Sequence, residues 1–197
     1  MNAMPVRSDF DVIAGWVRPG ERVLDLGCGD GSLLRRLINE RGVRGWGVEI
    51  DDDKVLAAIG NDINVIQSNL EAGLAGFEDG AFEHVILSHT LQAMRHTETI
   101  VYEMLRVGRE AVVSFPNFGY WKLRLDILNG RMPVSEDLPY QWYDTPNIHL
   151  CTIADFDEFC ALRNITVKER KVFDKGVEII EEHNYLGSLA VYRITRR

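Results

Sequence analysis

The chain has 197 residues, enough for one domain to close its own core without a metal or a disulfide staple. A formal net charge of −8 argues against a nucleic-acid backbone and an anionic membrane surface as partners, since both call for clustered Lys and Arg. Cys28, Cys151 and Cys160 are scattered with no CxxC pair, which predicts a reducing compartment with neither a disulfide framework nor a zinc site.

Met1 to Asp9 holds no apolar leader core, and no apolar run is long enough to span a bilayer, so a cytoplasmic protein is expected. Ser8 reads as an N-cap, followed by Phe10, Ile13, Ala14 and Val17 at helical spacing. Pro19-Gly20 stops that helix. Arg22 to Leu26 is a buried strand, Ser32 to Arg41 a helix with Leu33, Leu34, Leu37 and Ile38 on one face, and Gly45 to Ile50 a second strand. A helix over Asp51–Ile59, strands over Asn64–Ile66 and His84–Ser88, a helix over Thr97–Val107 and a strand over Ala111–Phe115 continue the alternation. After Pro116 the pattern breaks: residues 117–150 are rich in aromatics, carry three prolines and show no clear period. They predict an excursion over the mouth of the sheet, inside one domain spanning 1–197. A helix from Ile153 to Arg163 and strands over Ile165–Phe173 and Ser188–Thr195 complete the chain. The expectation is an α/β fold with a mostly parallel, seven-stranded sheet and helices on both faces.

The most specific local feature is Val23-Leu24-Asp25-Leu26-Gly27-Cys28-Gly29-Asp30-Gly31, which leaves a strand and enters a helix. Glycines there let backbone approach a ligand where a Cβ would collide. Glu49 closes the next strand, where a carboxylate can accept from both ribose hydroxyls. The spacing G-x-G-x-G differs from the dinucleotide G-x-G-x-x-G, which disfavours an NAD-binding dehydrogenase. Preceded by Asp25-Leu26, it resembles motif I of the Rossmann-like class I methyltransferases, which bind S-adenosylmethionine. The resemblance implies that the loop wraps the amino-acid part of S-adenosylmethionine or S-adenosylhomocysteine, with Asp25 in support. It implies Glu49 on the ribose and the end of the third strand near the adenine, where Asn69 stands in place of the usual Asp and offers its carbonyl oxygen. The expected cofactor set is Asp25, Gly27, Cys28, Gly29 and Gly31, with Glu49 and Ile50, Asn69 and Leu70, and Ser88. Cys28 has no neighbouring His or Lys in sequence to activate it and reads as a small packed side chain.

Methyl transfer asks mainly for alignment and exclusion of water, with a base where the nucleophile is weakly acidic. His89, after the fourth strand, and His149, at the end of the aromatic stretch, are the candidate bases; each also reads as a hydrogen-bonded structural histidine. Phe115-Pro116-Asn117-Phe118 follows the fifth strand and reads as a turn, with Pro116 setting φ and Gly119 relieving strain. Tyr140, Trp142 and Tyr143 suit either a satellite core or an exposed lid or docking surface. Arg124 and Arg131 are candidates for an anionic substrate or partner, against the commoner reading as scattered surface charge.

Further segments carry a narrower resemblance: Met104 to Arg109, Ser114 to Gly119, Gly130 to Val134, and the longest, Leu-Pro-Tyr-Gln-Trp-Tyr-Asp-Thr-Pro-Asn-Ile-His-Leu-Cys-Thr from Leu138 to Thr152. With the glycine loop they resemble the methionine-biosynthesis MetW family over nearly the whole chain. That resemblance implies a role beside homoserine O-acyltransferase (MetX-type), as its partner or activator. The alternative is a catalytic S-adenosylmethionine-dependent methyltransferase acting on a small molecule.

Overall fold

The structure is a computed structural model that describes residues 8–197. The elements run α1 (Ser8–Trp16), β1 (Arg22–Leu26), α2 (Ser32–Arg41), β2 (Arg44–Glu49), α3 (Asp52–Gly60), β3 (Val65–Gln67), β4 (Phe82–Ser88), α4 (Thr97–Val107), β5 (Gly108–Pro116), α5 (Trp121–Leu128), α6 (Ile153–Leu162), β6 (Ile165–Asp174), β7 (Val177–Glu178), α7 (His183–Leu186) and β8 (Leu189–Arg196). The capping expected of Ser8, and the reading of Met1 to Arg7, lie outside the described side chains.

One sheet is ordered β3-β2-β1-β4-β5-β8-β6-β7. β3 through β5 pair in parallel, while β8 runs antiparallel to both β5 and β6. The reversal follows from the connection. Between β6 and β8 the chain makes only β7 and the one-turn α7, too little for the helical crossover that a parallel return needs. The sheet therefore has eight strands and not seven. The extra one, β7, is two residues long and pairs with β6 across a Lys175-Gly176 turn, both residues at positive φ. A strand that short leaves no period to read.

Side-chain alternation divides the core into two layers. Leu24, Val85, Leu87 and Val113 face the layer that α4 and α6 fill with Ile100, Met104 and Phe156. Val23, Ile86 and Val112 face the other, filled by Ile13 of α1, Leu34 and Leu37 of α2 and Ala58 of α3. Both faces are covered, as the apolar strands predict. Local signals set the helix ends. The Asp51 side chain accepts from Lys54 N and starts α3, and Thr152 with Asp155 forms a capping box on α6. Gly42, left-handed, closes α2 by donating to Ile38 O.

The excursion is more ordered than its sequence implies, because α5 lies inside it. Its apolar residues Trp121, Leu123, Leu125 and Ile127 alternate, which imitates a strand, and only Leu123 is buried. With Tyr120 and Leu138 it makes a small satellite core. Trp142 and Tyr143 take no part in it: they are 72% and 70% exposed, so the aromatic stretch is surface. The turn expected after β5 is present, Tyr120 N donating to Asn117 O (3.1 Å), but Gly119 relieves no strain in it. Its φ is not positive, and its role is close approach: a Cβ there would stand 2.5 Å from Asn184 Oδ1. Arg124 is exposed but engaged by its own chain, donating to Gly119 O and lying over the Tyr185 ring.

Candidate functional site

The order of strands reverses between β1 and β4, and in an open α/β sheet the crevice outside the carboxyl ends at such a reversal takes ligands. The Gly27–Gly31 loop emerges there. Gly27, Gly29 and Gly31 have φ of 69°, 58° and 76°, the left-handed region that glycine enters at no steric cost. Two of them fit the loop to its neighbours. A Cβ on Gly27 would stand 2.8 Å from Thr90 Oγ1, and one on Gly31 2.6 Å from Ile63 Cγ1. Gly29 differs, for a Cβ on it would meet nothing within 4 Å. Its open side is where a ligand can lie against bare backbone.

Glu49, at the carboxyl end of β2, is buried at 6% exposure. Its Oε2 accepts from Gly29 N (3.0 Å), and its Oε1 accepts from Ile50 N (2.8 Å) and Asp51 N (3.1 Å). The carboxylate thus clasps the loop as well as closing the strand. Of about four acceptor sites on an ionised carboxylate, one remains, on Oε2. That capacity fits one ribose hydroxyl and not the two expected, because three backbone amides already take the rest. Ile50 is exposed beside it. Asn69 is also exposed, and its Oδ1 already accepts from Glu71 N (2.9 Å), capping a short 3-10 turn over Leu70–Ala72. A second lone pair is left for an adenine amino group. Leu70 packs half-buried against the core.

Asp25 is buried within β1, in register with Gly47 of β2 and Ile86 of β4. Cys28 is buried too, its Sγ only 2.4 Å from where a Cβ on Gly47 would stand. Burial, with the nearby Asp25 and Glu49 carboxylates, pushes its thiol up to about 12. It is a neutral packing group and no nucleophile.

Ser88 is the last residue of β4 and belongs to a polar cluster the sequence conceals. Its Oγ donates to Asp9 Oδ2 (2.7 Å) and accepts from Ser114 Oγ (3.1 Å). His89 Nε2 lies 3.8 Å from the same Asp9 oxygen. His89 holds φ of 53°, costly for a residue with a Cβ, and its N–H donates to Ser114 O (3.0 Å). Asp9 and Ser114 are fully buried. Neither stood out in the sequence: an Asp in the first turn of a helix reads as a solvated dipole partner, and Ser88 is 79 residues away. His89 and Asp9 line a cavity of about 1020 Å³, whereas His149 lines a separate one of about 600 Å³. Gln92 borders both. The two candidate bases therefore do not converge on one point.

The chain matches the family described as methionine biosynthesis protein MetW over residues 7–194. It belongs to the MetW family. It is 37% identical over 176 residues to a Rhodopirellula baltica bifunctional methionine biosynthesis protein MetXA/MetW, a match that takes in 84% of this chain and 28% of that protein. The chain thus spans little more than a quarter of that relative. Among solved structures it is similar to an Archaeoglobus fulgidus SAM-dependent methyltransferase (TM-score 0.73, 14% identity, 97% of this chain and 93% of that one). It is also similar to a Thermotoga maritima SAM-dependent methyltransferase (TM-score 0.68, 17% identity, 96% and 88%). These neighbours give this MetW chain the methyltransferase fold. Among the described residues no helix is long and apolar enough to cross a membrane.

Proposed function

We propose that this protein binds S-adenosylmethionine or S-adenosylhomocysteine at the Gly27–Gly31 loop and acts in methionine biosynthesis, in the cytoplasm, as partner of a MetX-type homoserine O-acyltransferase. The observation that carries the partnership is the Rhodopirellula baltica relative, in which a MetW part and a MetXA part share one polypeptide. Covalent fusion raises the effective concentration of two parts for each other, which is useful where they work together. For the cofactor, the support is the bare face of Gly29 beside the remaining acceptor site of Glu49. In this reading the loop backbone holds the amino-acid part, Glu49 orients the ribose and Asn69 the adenine. The cofactor, when bound, supplies a sulfonium-activated methyl group.

A cofactor that regulates the partnership must bind the free and partnered forms differently. Calorimetric titration with S-adenosylmethionine, alone and with the acyltransferase, tests this. The expected result is binding lost in Glu49→Ala and affinity changed by the partner. Equal affinity in both states removes the regulatory role, and no complex with the acyltransferase removes the partnership.

A second reading, a methyltransferase acting on a small molecule, is favoured by one observation: Asp9 and His89, which with Ser88 form a polar cluster at the end of β4, line the large cavity. There His89, steadied by Asp9, is placed to take a proton from an acceptor. Formation of S-adenosylhomocysteine from a metabolite panel, lost in His89→Gln, supports it; no turnover across the panel counts against it.

A further inference from the structure

Trp142 and Tyr143 belong neither to the core nor to the two cavities that Gln92 borders. They stand in the stretch from 129 to 152, over which the chain forms neither helix nor strand. Loops longer than about 12–15 residues are uncommon inside a compact domain and are commonly functional. Of the exposed rings among the described residues, the three most exposed are Trp142, Tyr143 and Tyr140, all within four positions. A whole aromatic side chain offers about 150–250 Å², so these three leave roughly 400 Å² open, half of the about 800 Å² that one side of a standard interface buries. Trp and Tyr are also the residues on which interface energy concentrates.

The rings are held in place. Trp142 and Tyr143 stand edge to face with centroids 5.6 Å apart. The turn that presents them is closed by Asp144 N donating to Gln141 O (3.3 Å) and Gln141 N donating to Asp144 Oδ1 (2.8 Å). Further along, Ile148 N and His149 N donate to Gln92 O (2.8 and 3.0 Å). Gln92 Nε2 in turn donates to His89 O (2.9 Å), and Thr90, between His89 and Gln92, is the residue that packs on Gly27. The ring-bearing stretch is thus fastened to the turn that meets the glycine loop. Rings already fixed lose little freedom when a partner covers them. In the Rhodopirellula baltica relative the MetW part is fused to a MetXA part, and fusion favours contact between the two.

We propose that Tyr140, Trp142 and Tyr143 anchor the docking surface for the MetX-type acyltransferase, an inference that rests on the partnership proposed above. Calorimetry and light scattering of the full chain with purified acyltransferase test it. Trp142→Ala with Tyr143→Ala is expected to weaken the complex about thirtyfold or more, as loss of anchoring rings does. Leu56→Ala with Ile59→Ala, on the exposed face of α3, is expected to leave it unchanged. Both variants should keep the wild-type Tm within about 2 °C, as exposed changes do. Hydrogen exchange of the wild-type complex, which needs no substitution, is expected to slow over 140–148. Equal affinity in the ring variant and the wild type, equal weakening by the α3 variant, or unchanged exchange over 140–148 would overturn the docking surface and leave the partnership standing. No complex with the wild-type chain would overturn both. A wild-type dimer that the ring variant converts to monomer, with acyltransferase affinity unchanged, would assign the face to a second copy of this chain and overturn the proposal.

Discussion

Gly29→Ala separates the two roles a glycine loop can have. The residue holds φ of 58°, where a non-glycine residue pays about 1–2 kcal/mol. No heavy atom lies within 4 Å of the added methyl, so packing adds nothing to that cost. For a chain of this size each kcal/mol lowers Tm by roughly 2–4 °C, so a drop of about 2–8 °C is expected. The methyl stands on the open side of the loop, and if S-adenosylmethionine lies there its affinity falls at least about tenfold. Gly29→Asn is the control, because asparagine tolerates the left-handed region: it should recover part of the lost Tm and bind no better. Thermal denaturation and calorimetry on the same samples read both effects. A variant that loses Tm but keeps full cofactor affinity would refute the reasoning, and Gly29 would then be a turn residue only.

Three further outcomes follow from packing and charge. Gly47→Ala puts a methyl 2.4 Å from Cys28 Sγ and should cost about 1–3 kcal/mol in urea denaturation, largely recovered by adding Cys28→Ala; strictly additive single effects would show that the two do not touch. All three thiols, Cys28, Cys151 and Cys160, are pushed up to about 12, chiefly by burial, so an aromatic disulfide reagent at neutral pH should react slowly with native protein and fully once it is unfolded; rapid native reaction at Cys28 or Cys160, the two buried thiols, contradicts that burial. Glu83 is held down to about 2 from 4.5, first by its hydrogen bonds from the Arg22 guanidinium (3.1 and 2.7 Å). Its folded value is the lower, so the stability it contributes is present above pH 4.5 and is lost as pH falls towards 2. Glu83→Gln should flatten that part of the acid-denaturation curve, and an unchanged slope would argue that the pair contributes nothing.

Where local chemistry decides structure, residues alone sufficed. β1 and α2 fall on the expected residues, because an apolar run ending in glycines, followed by leucines at helical spacing, admits little else. α4 likewise occupies Thr97–Val107 as read from its apolar face. α5 escaped because alternating apolar residues on a mostly exposed helix imitate a strand. Of the site residues, the glycines and Glu49 were visible as a motif in a strand–loop–helix context. Asp9 and Ser114 were not, since nothing near either of them in sequence marks it as a partner of Ser88 or His89.

By its sequence this chain determined its class, its alternation of elements, its glycine loop and the acid that follows. These are carried by neighbours along the chain, and period, turn chemistry and helix caps act over a few residues. Tertiary structure alone decided the insertion of β8 between β5 and β6, the burial of Asp9 against β4, the exposure of Trp142 and Tyr143, and the parting of His89 from His149 into separate cavities. Each of these depends on contacts between residues tens of positions apart, made only when the sheet and its two helical layers close together.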